Sequence, residues 1–131
     1  MNPAAVVPTV VTADIQAGIE KHVAEQCRRG HGYFDLPFGD KPLHLKLVRV
    51  HTEYLANLGP RRHFACVDLA DIGGDVYDVD FFLAGDPGAM TVTATTVHKI
   101  NGRPYYVWDQ KADGAWQRVP PDQASQRLLG V

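Results

Sequence analysis

The sequence predicts an α+β fold in which one N-terminal helix packs on a curved antiparallel sheet of about five strands. Three observations carry this. Residues 12–29 have helical apolar spacing, and nearly everything after residue 43 alternates with period two. Asn101-Gly102 marks a hairpin, because that pair tolerates the positive φ a type I′ turn needs at both central residues. One helix and several strands in this order can bury their apolar surfaces only by laying the helix across one sheet face.

At 131 residues the chain is one domain: residues 1–11 read as a Pro-containing tail, 12–121 as the domain and 122–131 as a C-terminal tail. A hydrophobic fraction of 45%, with 21% charged residues, is ordinary globular usage, and a net charge of −2 gives no reason to expect a nucleic-acid partner. No apolar run approaches the roughly 18 residues of a membrane span. The start MNPAAVVPTVVT lacks a basic n-region and a long apolar h-region. Its Pro/Ala/Val character equally suits the linker of an exported protein without its leader, so the compartment stays open between cytoplasm and export. Cys27 and Cys66 have neither the number nor the spacing of a disulfide framework, and read as two buried thiols or as one bridge.

Thr12 is the expected N-cap of the helix, and Asp14 complements the dipole in the first turn. Ile15, Ile19, Val23 and Cys27 form the apolar stripe, while Arg28, Arg29 and Gly30 end the helix. His31 to Pro42 reads as a loop pinned by Tyr33, Phe34, Leu36 and Phe38, with room for a short strand. Leu43, Leu45 and Leu47 alternate in one phase and Val48 and Val50 in the other, so a β-bulge is expected near Leu47 or Val48. Leu58 to Arg62 reads as a connection, and the strand His63 to Leu69 leaves its facing open between Ala65, Val67, Leu69 and Phe64, Cys66.

The strand Val76 to Leu83 puts Tyr77, Val79, Phe81 and Leu83 on its buried side and Asp78, Asp80 and Phe82 on the other. Gly85-Asp86-Pro87-Gly88 turns it back, and a strand follows to Ile100. The Asn101-Gly102 turn then sets Ile100 against Arg103, Lys99 against Pro104, His98 against Tyr105, Val97 against Tyr106 and Thr95 against Trp108. In this register Met90, Val92, His98, Ile100 and Tyr105 share the core face beneath the helix, and Tyr106 and Trp108 share the outer one. Asp113-Gly114 is the last turn, and Trp116 to Val119 the last strand.

This order of elements, from Thr12 to Val119, resembles the cystatin-like α+β roll, the group that also contains the NTF2-like proteins. The phrases Tyr77-Asp78-Val79-Asp80-Phe81 and Val97-His98-Lys99-Ile100-Asn101-Gly102 look like those of small uncharacterised bacterial proteins. The chain opens with less helix than NTF2-like enzymes, so the resemblance implies a fold and a sheet-to-sheet homodimer, not their chemistry.

His51, Asp78, Asp80 and His98 are the residue types of a divalent metal site or an acid-base pair. The register, however, puts the sheet between His98 and the two aspartates. A smaller pairing of His51 with Asp78 or Asp80 remains, but carboxylates on an open face are ordinarily solvated, so neither a metal nor a cofactor is expected.

His98 opposite Tyr105 fits either a hydrogen-bonded core pair or a pocket between helix and sheet, walled by Ile19, Val23, Phe81 and Val92. The pocket would take a small apolar or amphipathic ligand in a non-catalytic binding or interaction module. The alternative is a small acid-base enzyme using His98 and Tyr105 as its titrating pair. Phe82, Tyr106 and Trp108 are too aromatic for a face that meets only water, and fit a homodimer interface or a surface covered by the C-terminal tail. Neither a nucleophile elbow nor a phosphate-binding loop occurs.

Overall fold

A computed structural model describes residues 11–120 of the chain; the expected tails, apart from Val11, lie outside them. Helix α1 spans Thr12–Arg29 and is followed by strands β1 (Phe34–Phe38) and β2 (Lys41–Val50), a 3-10 turn at Thr52–Tyr54, and β3 (Ala56–Gly59). Then come β4 (Arg62–Asp71), β5 (Val76–Ala84), β6 (Thr91–Ile100), β7 (Arg103–Pro104), β8 (Val107–Gln110) and β9 (Trp116–Val119). The main sheet is curled and antiparallel in the order β1-β2-β4-β5-β6-β7, with β3 also paired to β4, while β8 and β9 form a separate hairpin. This is an α+β roll, with more strands than the alternation alone suggests.

The helix has the expected bounds but a different start. Val11 is the cap, and its backbone N–H donates to the Asp14 carboxylate at 3.0 Å, so Thr12 is already helical. Ile15, Ile19 and Val23 are fully buried against Phe34, Leu45, Phe81 and Leu83, and Met90 and Val92 pack at the margin of this core. The half-buried His22 sits edge-on to the rings of Phe34 and Phe81.

Two of the less regular stretches are strands. Residues 34–38 form β1 because Phe34 and Leu36 alternate inward and Gly39, at φ 60°, closes a tight turn to β2. Ala56–Gly59 pairs with β4 instead of only connecting to it. The bulge in β2 is present: Leu47 faces Leu69 and Arg49 faces Asp68, leaving Val48 as the extra residue. Val50 thereby returns to the core side and Arg49 turns out, while Val48 stays exposed. In β4 the core takes His63, Ala65, Val67 and Leu69, which resolves its facing. Cys27 and Cys66 are free thiols, Cys27 against the core and Cys66 on the far face of the sheet.

The Asn101-Gly102 turn has φ of 50° and 80°, as a type I′ turn requires, and sets Ile100 against Arg103 and Lys99 against Pro104. Asn101 also ties the turn to β5, accepting from the Val76 N–H at 2.8 Å and donating its own N–H to the Val76 carbonyl at 2.7 Å. The hairpin then stops early. The Tyr105 N–H still donates to the His98 carbonyl at 2.6 Å, but the expected pairs Val97 with Tyr106 and Thr95 with Trp108 do not form. Beyond that bond β8 leaves to pair with β9 across the outer face.

The facing of β6 also departs from simple alternation. Asp78 pairs with Lys99 and Val79 with Val97, so His98 is the extra residue of a bulge; a second bulge lies at Thr93, between the pairs Phe82–Ala94 and Leu83–Val92. Each bulge reverses the phase of the side chains. Val92, Val97 and Ile100 therefore face the core partners Leu83, Val79 and Tyr77, whereas Ala94, Thr96 and His98 face outward with Phe82, Asp80 and Asp78.

Candidate functional site

The bulge at His98 moves the expected site to the other side of the sheet. Ile19, Val23, Phe81 and Val92 pack beneath the helix as core, while His98 stands on the face away from them. Tyr105 is 58% exposed and packs against Phe38, so it is a backbone neighbour of His98 and not its side-chain partner. That partner is Tyr106, whose ring stacks on the imidazole at 4.6 Å between centroids, 19° from parallel. The separation of His98 from Asp80 fails with the same phase change: His98 Nδ1 lies 3.3 Å from Asp80 Oδ2.

Three successive rungs of β4 and β5 build the outer face: Asp68 opposite Asp78, Cys66 opposite Asp80, and Phe64 opposite Phe82. Alternation spaces them about 7 Å apart, so the face passes from acidic to apolar over a short distance. The β8–β9 hairpin lies over its middle and apolar part. Tyr106 Oη donates to Asp80 Oδ2 at 2.5 Å, Trp108 packs edge-on to Phe82, and Arg118 Nη1 donates to Thr96 Oγ1 at 2.7 Å while its guanidinium covers the rings of Tyr106 and Trp108. Asp80 is thereby fully buried and Tyr106 nearly so. Of the three aromatics expected at an interface, Tyr106 is taken up within the chain, and Phe82 and Trp108 remain partly open.

At the apolar end Leu58, Phe64, Phe82 and Trp108 line a cleft of about 460 Å³. In the middle, burial and then the hydrogen bond to Asp80 push the Tyr106 phenol far above its usual range, so it acts as a donor. Burial, with the Asp80 and Asp78 carboxylates next, likewise raises the Cys66 thiol and keeps it protonated. Asp80 Oδ1 is buried without a hydrogen-bond partner among the described residues.

At the acidic end His51 joins two carboxylates. Its Nε2 lies 2.7 Å from Asp68 Oδ1 and its Nδ1 lies 3.0 Å from Glu53 Oε1, with Glu53 held in turn by Arg49 at 2.7 Å. Burial lowers the His51 pKa, but the hydrogen bonds to Asp68 and Glu53 outweigh it, and the imidazole titrates above its ordinary value. Burial and the facing Asp68 carboxylate raise Asp78 from 3.8 to about 6. Donor atoms of His51, Cys66 and Asp78 all lie within 4.8 Å of one another. These are the residues that could hold a cation. Cys66 and Asp68 entered no site in the sequence analysis, where only the alternation of β4 could have pointed to them, and Tyr106 entered as an interface aromatic and not as the partner of His98 and Asp80.

A pH dependence follows from Asp78. Between about pH 4 and pH 6 the folded chain keeps a proton that the unfolded chain has released, so stability falls as pH rises through that window. A rise from 3.8 to about 6 corresponds to about 3 kcal/mol at full strength, which solvent screening of this half-buried group reduces to about 1 kcal/mol. Asp78→Asn should flatten that decline and be the more stable protein at pH 7 by about 1 kcal/mol, measured by urea unfolding with chelator present. An unchanged pH slope would show that the Asp68–Asp78 rung does not hold the proton.

Compared with known proteins, the chain matches no family model, no curated protein and no solved structure, so the reading of this face rests on its geometry.

Proposed function

We propose that the protein is a non-catalytic binding module that takes a small apolar or amphipathic molecule on the outer face of its sheet. The observation that carries this reading is the cleft of about 460 Å³ walled by Leu58, Phe64, Phe82 and Trp108. A concave, predominantly apolar cleft is the usual form of a small-molecule site. A ligand seated there would lay its apolar part against Phe82 and Trp108, with its polar end toward solvent.

Displacement of a naphthalene-sulfonate dye by medium-chain alcohols and carboxylic acids tests this. Saturable, one-to-one displacement is expected in wild type, and Phe82→Asp should abolish it while the fold survives, since Phe82 is only partly buried. No saturable binding of either kind removes the reading. Dimerisation in light scattering that Phe82→Asp reverses would instead assign the apolar wall to a second copy of the chain.

The stack of His98 on Tyr106, beside Asp80, supports an acid-base enzyme as the second reading, with Tyr106 in the place expected for Tyr105. His98→Gln keeps hydrogen-bonding capacity but cannot titrate. The binding module predicts that this variant retains fold and ligand affinity. A ligand turned over by wild type and only bound by His98→Gln establishes the enzyme.

A further inference from the structure

At the acidic end of the same face, the geometry points to a second site: His51, Cys66 and Asp78 bind a divalent cation of the zinc class, with Asp68 or a water in the fourth place. The residue types suit that cation, which takes imidazole nitrogen, thiolate sulfur and carboxylate oxygen together. Their spacing suits it as well. Metal–ligand bonds of about 2.0–2.3 Å give tetrahedral edges of roughly 3.3–3.7 Å. The three donor atoms, already within 4.8 Å of one another, need close by only about an ångström. Rotation of side chains on neighbouring rungs achieves that without moving the sheet.

Two further features support the site independently of donor spacing. Glu53 lies 3.0 Å from His51 Nδ1, so a proton on Nδ1 is held by a carboxylate and Nε2 is the nitrogen that meets the cation. This is the outer-shell arrangement that orients histidines bound to metal. In addition, Asp68 and Asp78 face each other across one rung, with His51 Nε2 2.7 Å from Asp68 Oδ1. A cation at Nε2 takes the place of the proton between imidazole and carboxylate, and puts positive charge where two carboxylates converge. The His51 and Asp68 side chains are 14% and 16% exposed, which leaves a path for entry. On binding, the Cys66 S–H and His51 Nε2–H bonds break, both protons pass to solvent, and sulfur–metal and nitrogen–metal bonds form.

Cobalt titration of the untagged, reduced, chelator-treated chain tests the inference. One equivalent is expected to bind, with thiolate-to-cobalt charge-transfer absorption in the near ultraviolet and the strong visible bands of four-coordinate cobalt, all removed by zinc. Cys66→Ser should lose the charge-transfer absorption, and Cys27→Ser should keep it. Glu53→Gln, which leaves every ligand in place, should weaken binding roughly 10-fold, and His51→Gln should weaken it more. Should Cys66→Ser fail to fold, wild type still decides: zinc should slow alkylation of Cys66 and leave that of Cys27 unchanged. Absence of charge transfer in wild type, its survival in Cys66→Ser, equal affinity of His51→Gln and wild type, or alkylation of Cys66 indifferent to zinc would each overturn the site. The cleft can bind its ligand whatever this outcome.

Discussion

Gly30→Ala is expected to destabilise the fold by about 3 kcal/mol, a fall of roughly 10 °C in Tm. The reason is space and not dihedral freedom. Gly30 has φ −93°, which alanine adopts without strain, but a Cβ there would stand 2.0 Å from the Tyr33 carbonyl oxygen and 3.0 Å from Asp35 Oδ2. Backbone cannot rotate away as a flexible side chain can. The chain at this point ends α1 and starts β1 within a few residues, through Gly30 N–H to the Gln26 carbonyl at 2.9 Å, Gly32 N–H to Cys27 at 2.7 Å and Tyr33 N–H to Gly30 at 3.2 Å. Making room for a methyl group breaks some of these bonds or tilts the helix off Phe34. Gly32 is the control: its φ of 101° disfavours alanine, yet a Cβ there meets nothing within 4 Å, so Gly32→Ala should cost only about 1 kcal/mol. Urea unfolding of both variants checks the order. Equal losses would mean that the connection relaxes around Gly30.

Gly30 also shows what was legible in the sequence. Its place after Arg28 and Arg29 marks the end of the helix correctly, whereas the reason for a glycine, contact with a main-chain atom three residues on, depends on a turn not readable in advance. Periodicity located α1, the inward face of β5 and the bulge in β2, because each is fixed by a local pattern that burial then enforces. The Asn101-Gly102 turn was legible for the same reason. The site was not. Two bulges in β6 have no apolar signature, since threonine, alanine and histidine are tolerated on either face, and the extra residue at His98 changed which side of the sheet it serves. The departure of β8 was equally hidden: Tyr106 and Trp108 alternate well enough to continue the hairpin, and their partners in β9 come later in the chain.

Tyr106 and its neighbour Tyr105 give the sharpest test of that change of face. Tyr106→Phe should cost about 2–3 kcal/mol, because it removes the hydroxyl that donates at 2.5 Å to Asp80, a carboxylate with no exposed surface and with Oδ1 already lacking a partner among the described residues. The phenyl ring still stacks on His98 and meets Trp108 edge-on, so the loss isolates the hydrogen bond from the packing. Tyr105→Phe should stay within about 0.5 kcal/mol, since that side chain is largely exposed and its ring contact with Phe38 survives the change. The register expected from unbroken alternation places Tyr105 in the core and Tyr106 outside, and predicts the opposite ranking. A double-mutant cycle completes the test: with Asp80→Asn already present, Tyr106→Phe should cost markedly less, because the demand for a donor at a buried carboxylate has been removed. If the two tyrosine variants are equally stable, or if Tyr106→Phe costs the same beside Asp80 and beside Asn at that position, the hairpin does not close over the outer face through this bond.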